Sequence, residues 1–285
     1  MTVPALLATP LTSPFTASYA RLGEVFAGLR VDEYAGGERL PRGGGWVGAD
    51  ELGAGGAALD EFLAWDDAQV LRDYGTRARP DVVASFGLHR YAWPACLLVT
   101  VPWFLHRRVP RLPAGNVGFH RASGRMAVTV EEFACLPGDP AAVLPGARVV
   151  ADEETLRAEV RASLAEHFEA VLAGFGPRMR RGRRALWGMT TDEIVEGLWY
   201  VAALLGEERR GMAELDLLLP GATSPYAGAA GFRELPGSGA PGEESRATRD
   251  RATCCFFYTL RPEDTCLTCP RTCDEERVRR LTATA

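Results

Sequence analysis

The chain has 285 residues, 47% of them hydrophobic and 24% charged, with a formal net charge of -5 at pH 7. This is the composition of a folded globular protein that can bury a core without disulfide staples, which excludes a disordered or fibrous chain. The acidic balance gives no basic footprint for nucleic acid, and all 32 basic residues are arginine, which points to GC-rich coding more than to a function.

The opening MTVPALLATPLTSPF has no positive region ahead of an apolar run, so a cytoplasmic location is expected. Apolar residues at helical spacing predict a helix from about Thr16 to Leu29. The glycine-dense stretch 34–58 reads as a long loop. A helix follows, with Asp60 as a possible N-cap and Gly75 as its stop, and another begins behind Pro80. The apolar run Tyr91 to Leu105 is shorter than a bilayer span and is broken by Pro94 and Pro102, so it is read as buried core with no stable membrane insertion.

Alternating residues in NVGFHRASG and RMAVTVEEFACLPGD predict a hairpin around a Ser-Gly turn, with Cys135 in its second strand. From about Asp152 the pattern turns helical, acids opening a helix that ends in glycine. Pro177 is expected in the first turn of the next helix, and a third covers EERRGMAELDLLLPG. The stretch TSPYAGAAGFRELPGSGAPGEESRATRD reads as irregular. The expected fold is α+β: a body over residues 1–245, mainly helical from about 152, with a small antiparallel sheet or hairpin in its N-terminal half. A cysteine-rich segment over 246–285 completes it.

Five of the seven cysteines lie in CCFFYTLRPEDTCLTCPRTC, residues 254–273. In a reducing compartment such a cluster binds metal or does redox work more often than it forms disulfides. The spacing is C-C-x10-C-x2-C, through Cys254, Cys255, Cys266 and Cys269. A C-x2-C pair can grip one metal from a tight turn, but structural zinc sites build each half that way, and adjacent cysteines in extended chain point to opposite sides. The spacing also departs from both ferredoxin patterns. A structural four-cysteine zinc site and a binuclear iron–sulfur cluster both remain open on spacing alone.

The motif CCFFYTLRPEDTCLTCP, with RRALWGMTTDEIVEGLWYVAALLG upstream, resembles the FhuF-like siderophore-iron reductases over roughly Asp152 to Cys269. That resemblance implies a [2Fe–2S] cluster held by Cys254, Cys255, Cys266 and Cys269, and one-electron reduction of a ferric siderophore, hydroxamate-type by expectation, in the cytoplasm. Four thiolates leave no open coordination position, so transfer to the chelate is expected to be outer-sphere, onto a concave platform beside the cluster. With no dinucleotide fingerprint in GGERLPRGGG, an external donor such as a ferredoxin or flavin reductase is implied. The rival reading is a cluster-bearing electron carrier or redox sensor that does not act on siderophores.

Arg249, Arg251, Arg261 and Arg271 are candidates for tuning the cluster. Arg178, Arg180, Arg181, Arg183 and Arg184 offer charge for an anionic chelate or an acidic donor, although a solvated helix face is the plainer reading, and Trp187 reads as core. His89, His106, His120 and His167 lack paired metal-ligand spacing and read as structural. Cys96 and Cys135 read as small buried hydrophobes, and Cys273 as a bystander.

Overall fold

The computed structural model describes residues 13–235, 246–263 and 265–283. In chain order the first half contains α1 (Thr16–Val25), β1 (Arg30–Tyr34), β2 (Trp46–Gly48), α2 (Ala49–Ala54), α3 (Ala57–Tyr74) and α4 (Pro80–His106). It continues through β3 (Arg108–Pro110), β4 (Val117–His120), β5 (Arg125–Thr129), β6 (Phe133–Cys135) and β7 (Ala147–Val149). The second half contains α5 (Glu153–Met179), α6 (Arg183–Leu204), α7 (Glu208–Leu218), β8 (Phe232–Leu235), β9 (Arg246–Arg249) and α8 (Asp274–Ala283).

Pro80 takes the first position of α4, where its missing N–H is no loss. Val82, Leu88, Tyr91, Cys96, Val101 and Trp103 then bury every side of the helix, and a helix apolar all round must be enclosed. It packs against α1, α3, α5 and α6. Among the described residues α4 alone is long and apolar enough to cross a membrane, and 78% of its most apolar window is buried inside the protein. The helix continues past Pro94 and Pro102, because core packing on all sides outweighs the hydrogen bonds the prolines remove.

The α+β class holds, with two corrections. Helices are not confined to the C-terminal half, since α1 to α4 precede it. The sheets are mixed: in the order β1-β5-β4-β2, β1 pairs parallel with β5, and in the order β3-β6-β7, β6 pairs parallel with β7. Parallel partners are joined by long excursions, so local alternation does not reveal them. The expected hairpin is β4–β5, turning at Gly124 with φ +62°. Cys135 lies beyond it, in β6.

Several boundaries also move. The first helix stops at Val25 and the chain from Arg30 becomes a strand. The glycine-dense stretch contains β2 and α2, and it packs closely: a Cβ on Gly53 would sit 2.5 Å from the carbonyl oxygen of Ala170 on α5. Gly56, not Asp60, precedes α3, while Gly75 ends it in the left-handed conformation as expected. Asp152 caps α5 by accepting the Thr155 N–H. Pro177 belongs to the end of α5, not to the start of α6, because the buried Phe175 and Met179 hold that last turn against the core. The stretch expected to be irregular contains β8 and β9, an antiparallel pair whose connecting residues 236–245 lie outside the described residues. This pair delivers the chain from Arg249 onward to the side of α6.

Candidate metal centre

Helix α6 carries Asp192, Glu193 and Glu196 on the side that meets the cysteine segment. Asp192 is fully buried and accepts the backbone N–H groups of Ala252 and Thr253, both at 2.9 Å, and the Thr253 hydroxyl at 2.8 Å. Its nearest charged partner is Arg249, also fully buried, whose Nη2 lies 2.8 Å away. Arg249 reaches on to Glu196 Oε1 at 3.0 Å and to the Ala230 carbonyl at 3.0 Å. The same Glu196 oxygen accepts the Thr268 hydroxyl at 2.8 Å. One helix therefore pins both the residues ahead of Cys254–Cys255 and Thr268, one of the two residues between Cys266 and Cys269.

The fit depends on Gly188. A Cβ there would lie 2.5 Å from Thr253 Cγ2, so the chain can press this close to α6 only over a glycine. A further anchor comes from α8, where the buried Arg277 donates to the Cys269 carbonyl at 2.9 Å and pairs with Asp250.

Held this way, Cys254, Cys255 and Cys266 are half-buried and Cys269 is buried. The Cys255 and Cys266 thiols hydrogen-bond each other across the two halves of the motif. Phe256, with φ +66°, turns the chain sharply after the adjacent pair. Its N–H points to Cys254 Sγ at 3.4 Å, and the Phe257 N–H serves Cys255. The Cys266 thiol, the Phe257 N–H, Arg251 and His89 together bring the Cys255 thiol down to about 6, against its burial. Cys254 is pushed up by burial and by the neighbouring Cys255 and Cys269, with Arg181 and the Phe256 N–H opposing. Arg181 donates to the Cys254 carbonyl at 2.6 Å and stacks 3.8 Å from the Phe256 ring.

Four soft sulfur donors from two strapped segments, with N–H donors and cations aimed at them, match what a thiolate-ligated iron–sulfur cluster needs. Cys255 and Cys266 meet across the two segments, and among the described residues no group of three His, Cys, Asp or Glu side chains is drawn together closely enough to hold a metal ion.

Cys255 and Cys266 also form part of the wall of a cavity of about 820 Å³. Phe26, Trp93, Trp199, Tyr200 and Phe257 give it aromatic faces, and Phe26 and Tyr200 both meet Trp93 edge-on, at 5.2 and 5.8 Å. Its cations are already partnered. His89 Nδ1 lies 2.6 Å from the buried Glu193, Arg90 lies 3.3 Å from Asp66, and Arg251 sits 3.6 Å from both Asp192 and Glu193. Glu193 raises the His89 pKa; Arg251 is lowered by burial, but Asp192 and Glu193 more than offset this and raise it overall.

The arginines singled out from sequence divide by position. Arg249 is a buried structural anchor, and Arg251 faces Cys255 and Cys266 from the cavity wall. Arg261 pairs loosely with Glu263 at 3.9 Å and stacks on Tyr74, while Arg271 stacks on Tyr258 at 4.1 Å. Arg178 and Arg183 are tied to Asp60 and Glu169. Trp187, Cys96 and Cys135 are core. Cys273 is exposed. His106, His120 and His167 make structural hydrogen bonds, whereas His89 lines the cavity.

The α6 acids escaped the sequence reading. Their signal is nonetheless present in TTDEIVEGLW, where Asp192 and Glu193 sit among apolar positions of a helix, because a buried carboxylate requires a cationic or N–H partner.

Residues 251–271 match the family model described as the FhuF 2Fe-2S C-terminal domain. No curated protein matches the chain. The short match covers all four cysteines of the motif, and the C-terminal segment is accordingly an iron–sulfur domain with a [2Fe–2S] cluster as its cofactor.

Proposed function

We propose that this chain is a cytoplasmic ferric siderophore reductase in which Cys254, Cys255, Cys266 and Cys269 hold the cluster. The observation that carries the reading is the shared wall: two of these cysteines border an aromatic cavity large enough for a small chelate. When bound, the cluster supplies single electrons, and Fe(III) that accepts one becomes Fe(II), which hard hydroxamate oxygens hold far less tightly.

The chain's own residues do the rest. Trp93, Tyr200 and Phe26 offer flat apolar faces that displace water and orient a compact ligand. His89 and Arg251 share Glu193, with Asp192 also facing Arg251, and Arg90 shares Asp66 with Arg121, so the cavity presents only a small net charge. That favours a ferric trihydroxamate, in which three anionic ligands balance the metal, over a trianionic tris-catecholate. No side chain is needed as nucleophile or proton donor, since the change at iron makes no covalent bond to the protein.

The test is stopped-flow oxidation of the reduced protein by ferric trihydroxamates and by ferric EDTA. The reading requires faster, saturable oxidation by the trihydroxamates. Equal and unsaturable rates with both chelates would leave an electron carrier without siderophore specificity.

A further inference from the structure

The four cysteines present two different faces. Cys255 and Cys266 border the cavity, whereas Cys254 and Cys269 do not. Cys254 instead lies under Arg181, through its carbonyl, and beside the Phe256 ring on which Arg181 stacks. Around it the charge pattern of the protein changes. Most arginines pair with a carboxylate; Arg180, Arg181, Arg184 and Arg271 have no carboxylate partner among the described residues. The same is true elsewhere of Arg30, Arg39 and Arg209, but the first four fall close together around the start of α6 and the cysteine segment.

Arg180 and Arg184 are exposed on the turn and first residues linking α5 to α6, on either side of Arg181 in the chain. Arg271 is exposed and covers Tyr258, itself within electrostatic reach of Arg181. Three carboxylates near this stretch are already engaged, Asp81 with Arg79, Glu263 with Arg261 and Asp274 with Arg233, while the exposed Glu275 follows Arg271 by four residues. Arg181 lies beside Cys254, Arg180 and Arg184 flank it in the chain, and in a protein of net charge -5 these cations, without a carboxylate ion pair among the described residues, are a local reversal of sign. None of these four arginines lines the cavity.

We infer that this arginine face is the docking surface for an acidic one-electron carrier protein of the ferredoxin type, so that the electron enters on the Cys254 side and leaves on the Cys255–Cys266 side. The inference rests on these cysteines being the cluster ligands. Complementary charge speeds the encounter and sets its orientation, and exposed arginines matched to an acidic surface do this without a large apolar interface. The transfer moves one electron from the reduced carrier to the oxidised centre; no bond is made or broken and no proton is released. Separate faces let the carrier bind while the chelate occupies the cavity.

The experiment measures Kd by isothermal titration calorimetry between the holoprotein and a plant-type [2Fe–2S] ferredoxin, with the rate of reduction as a second readout. The triple variant Arg180→Glu, Arg184→Glu, Arg271→Glu is expected to weaken binding by at least ~10-fold, and raising salt from about 0.05 to about 0.5 M weakens the wild type similarly. Arg39→Glu with Arg209→Glu, exposed arginines outside this face, leaves Kd within about twofold. Reduction by the neutral photoreductant 5-deazariboflavin and re-oxidation by ferric trihydroxamate stay at wild-type rates in the triple variant.

Absence of wild-type binding at low salt, or unchanged binding by the triple variant, overturns the inference. Slowed chelate oxidation with intact ferredoxin binding also overturns it, by assigning the face to the substrate. Failure of the wild type to react with any ferric siderophore would instead sink the proposed function and leave the docking face standing.

Discussion

Asp192 Oδ2 accepts both the backbone N–H of Thr253, at 2.9 Å, and its side-chain hydroxyl, at 2.8 Å, one residue before the first cysteine of the motif. The same carboxylate neutralises the fully buried Arg249. Asp192→Asn removes the charge while keeping the shape, which leaves Arg249 buried with only the partly exposed Glu196. Breaking a buried pair from one side costs about 3–5 kcal/mol. The variant is expected to retain its far-ultraviolet circular dichroism but lose most of its iron and sulfide on purification. Wild-type cluster content in Asp192→Asn would show that the clamp is not required.

Gly188 makes a second, steric test of the same contact. Gly188→Ala places a methyl 2.5 Å from Thr253 Cγ2, and overpacking of this kind costs about 1–3 kcal/mol. Visible absorbance should be lost at a lower temperature than in the wild type. Adding Thr253→Ser removes Cγ2 and keeps the hydroxyl, so the double variant should regain most of the loss. No recovery would mean that the methyl disturbs something other than this contact.

How these relationships read from sequence depends on their range. The start of α4 at Pro80, the stop of α3 at Gly75 and the β4–β5 turn were legible because each rests on the conformational limits of one or two residues. The four-cysteine spacing is itself a feature of the sequence, readable without the fold. Asp192 and Arg249 are 57 positions apart, and nothing local marks them as partners. The parallel pairing of β1 with β5, more than 90 residues apart, is equally non-local. The cavity was foreseen only as a concave platform; its walls come from the end of α1, α3, α4, α6, β9 and the cysteine segment, which converge only in the folded chain. Pro177 misled for a different reason, since its local preference yields to the burial of Phe175 and Met179.

His167 gives the fold a pH dependence of defined sign. Its ring is buried, with Nδ1 donating to the Leu112 carbonyl and Nε2 accepting from the Tyr91 hydroxyl, both at 2.8 Å. Burial pushes its pKa down to about 4, from 6.5 in the unfolded chain. Between these values the unfolded chain binds more protons, so stability rises with pH across the window. The contribution is complete above about pH 6.5 and is lost as the pH falls toward 4, amounting to about 3 kcal/mol. Urea unfolding at pH 4.5 and 7 should show a smaller difference in His167→Gln than in the wild type. An unchanged difference would place the acid sensitivity elsewhere.

The aromatic cavity predicts a change in affinity without a change in potential. Tyr200 is 46% exposed and meets Phe26 and Trp93 edge-on, both at 5.8 Å. Tyr200→Ala should weaken the apparent affinity for a ferric trihydroxamate by ~10-fold, the scale of losing one aromatic contact of about 1 kcal/mol together with its buried area. The reduction potential should stay at its wild-type value, because the substitution removes no charge and no hydrogen-bond donor shown at a cysteine. Unaltered affinity would place the chelate outside the cavity.

The central claim is that Cys254, Cys255, Cys266 and Cys269 hold a binuclear cluster at the wall of this cavity, with Cys273 outside it. Iron and acid-labile sulfide counted per chain in the wild type and in the five single Cys→Ser variants tests it most directly. About two irons and two sulfides are expected in the wild type and in Cys273→Ser, with large losses or altered spectra in each of the other four. Full, spectrally unchanged occupancy after any of those four substitutions, or a single zinc with no sulfide in the wild type, would contradict it.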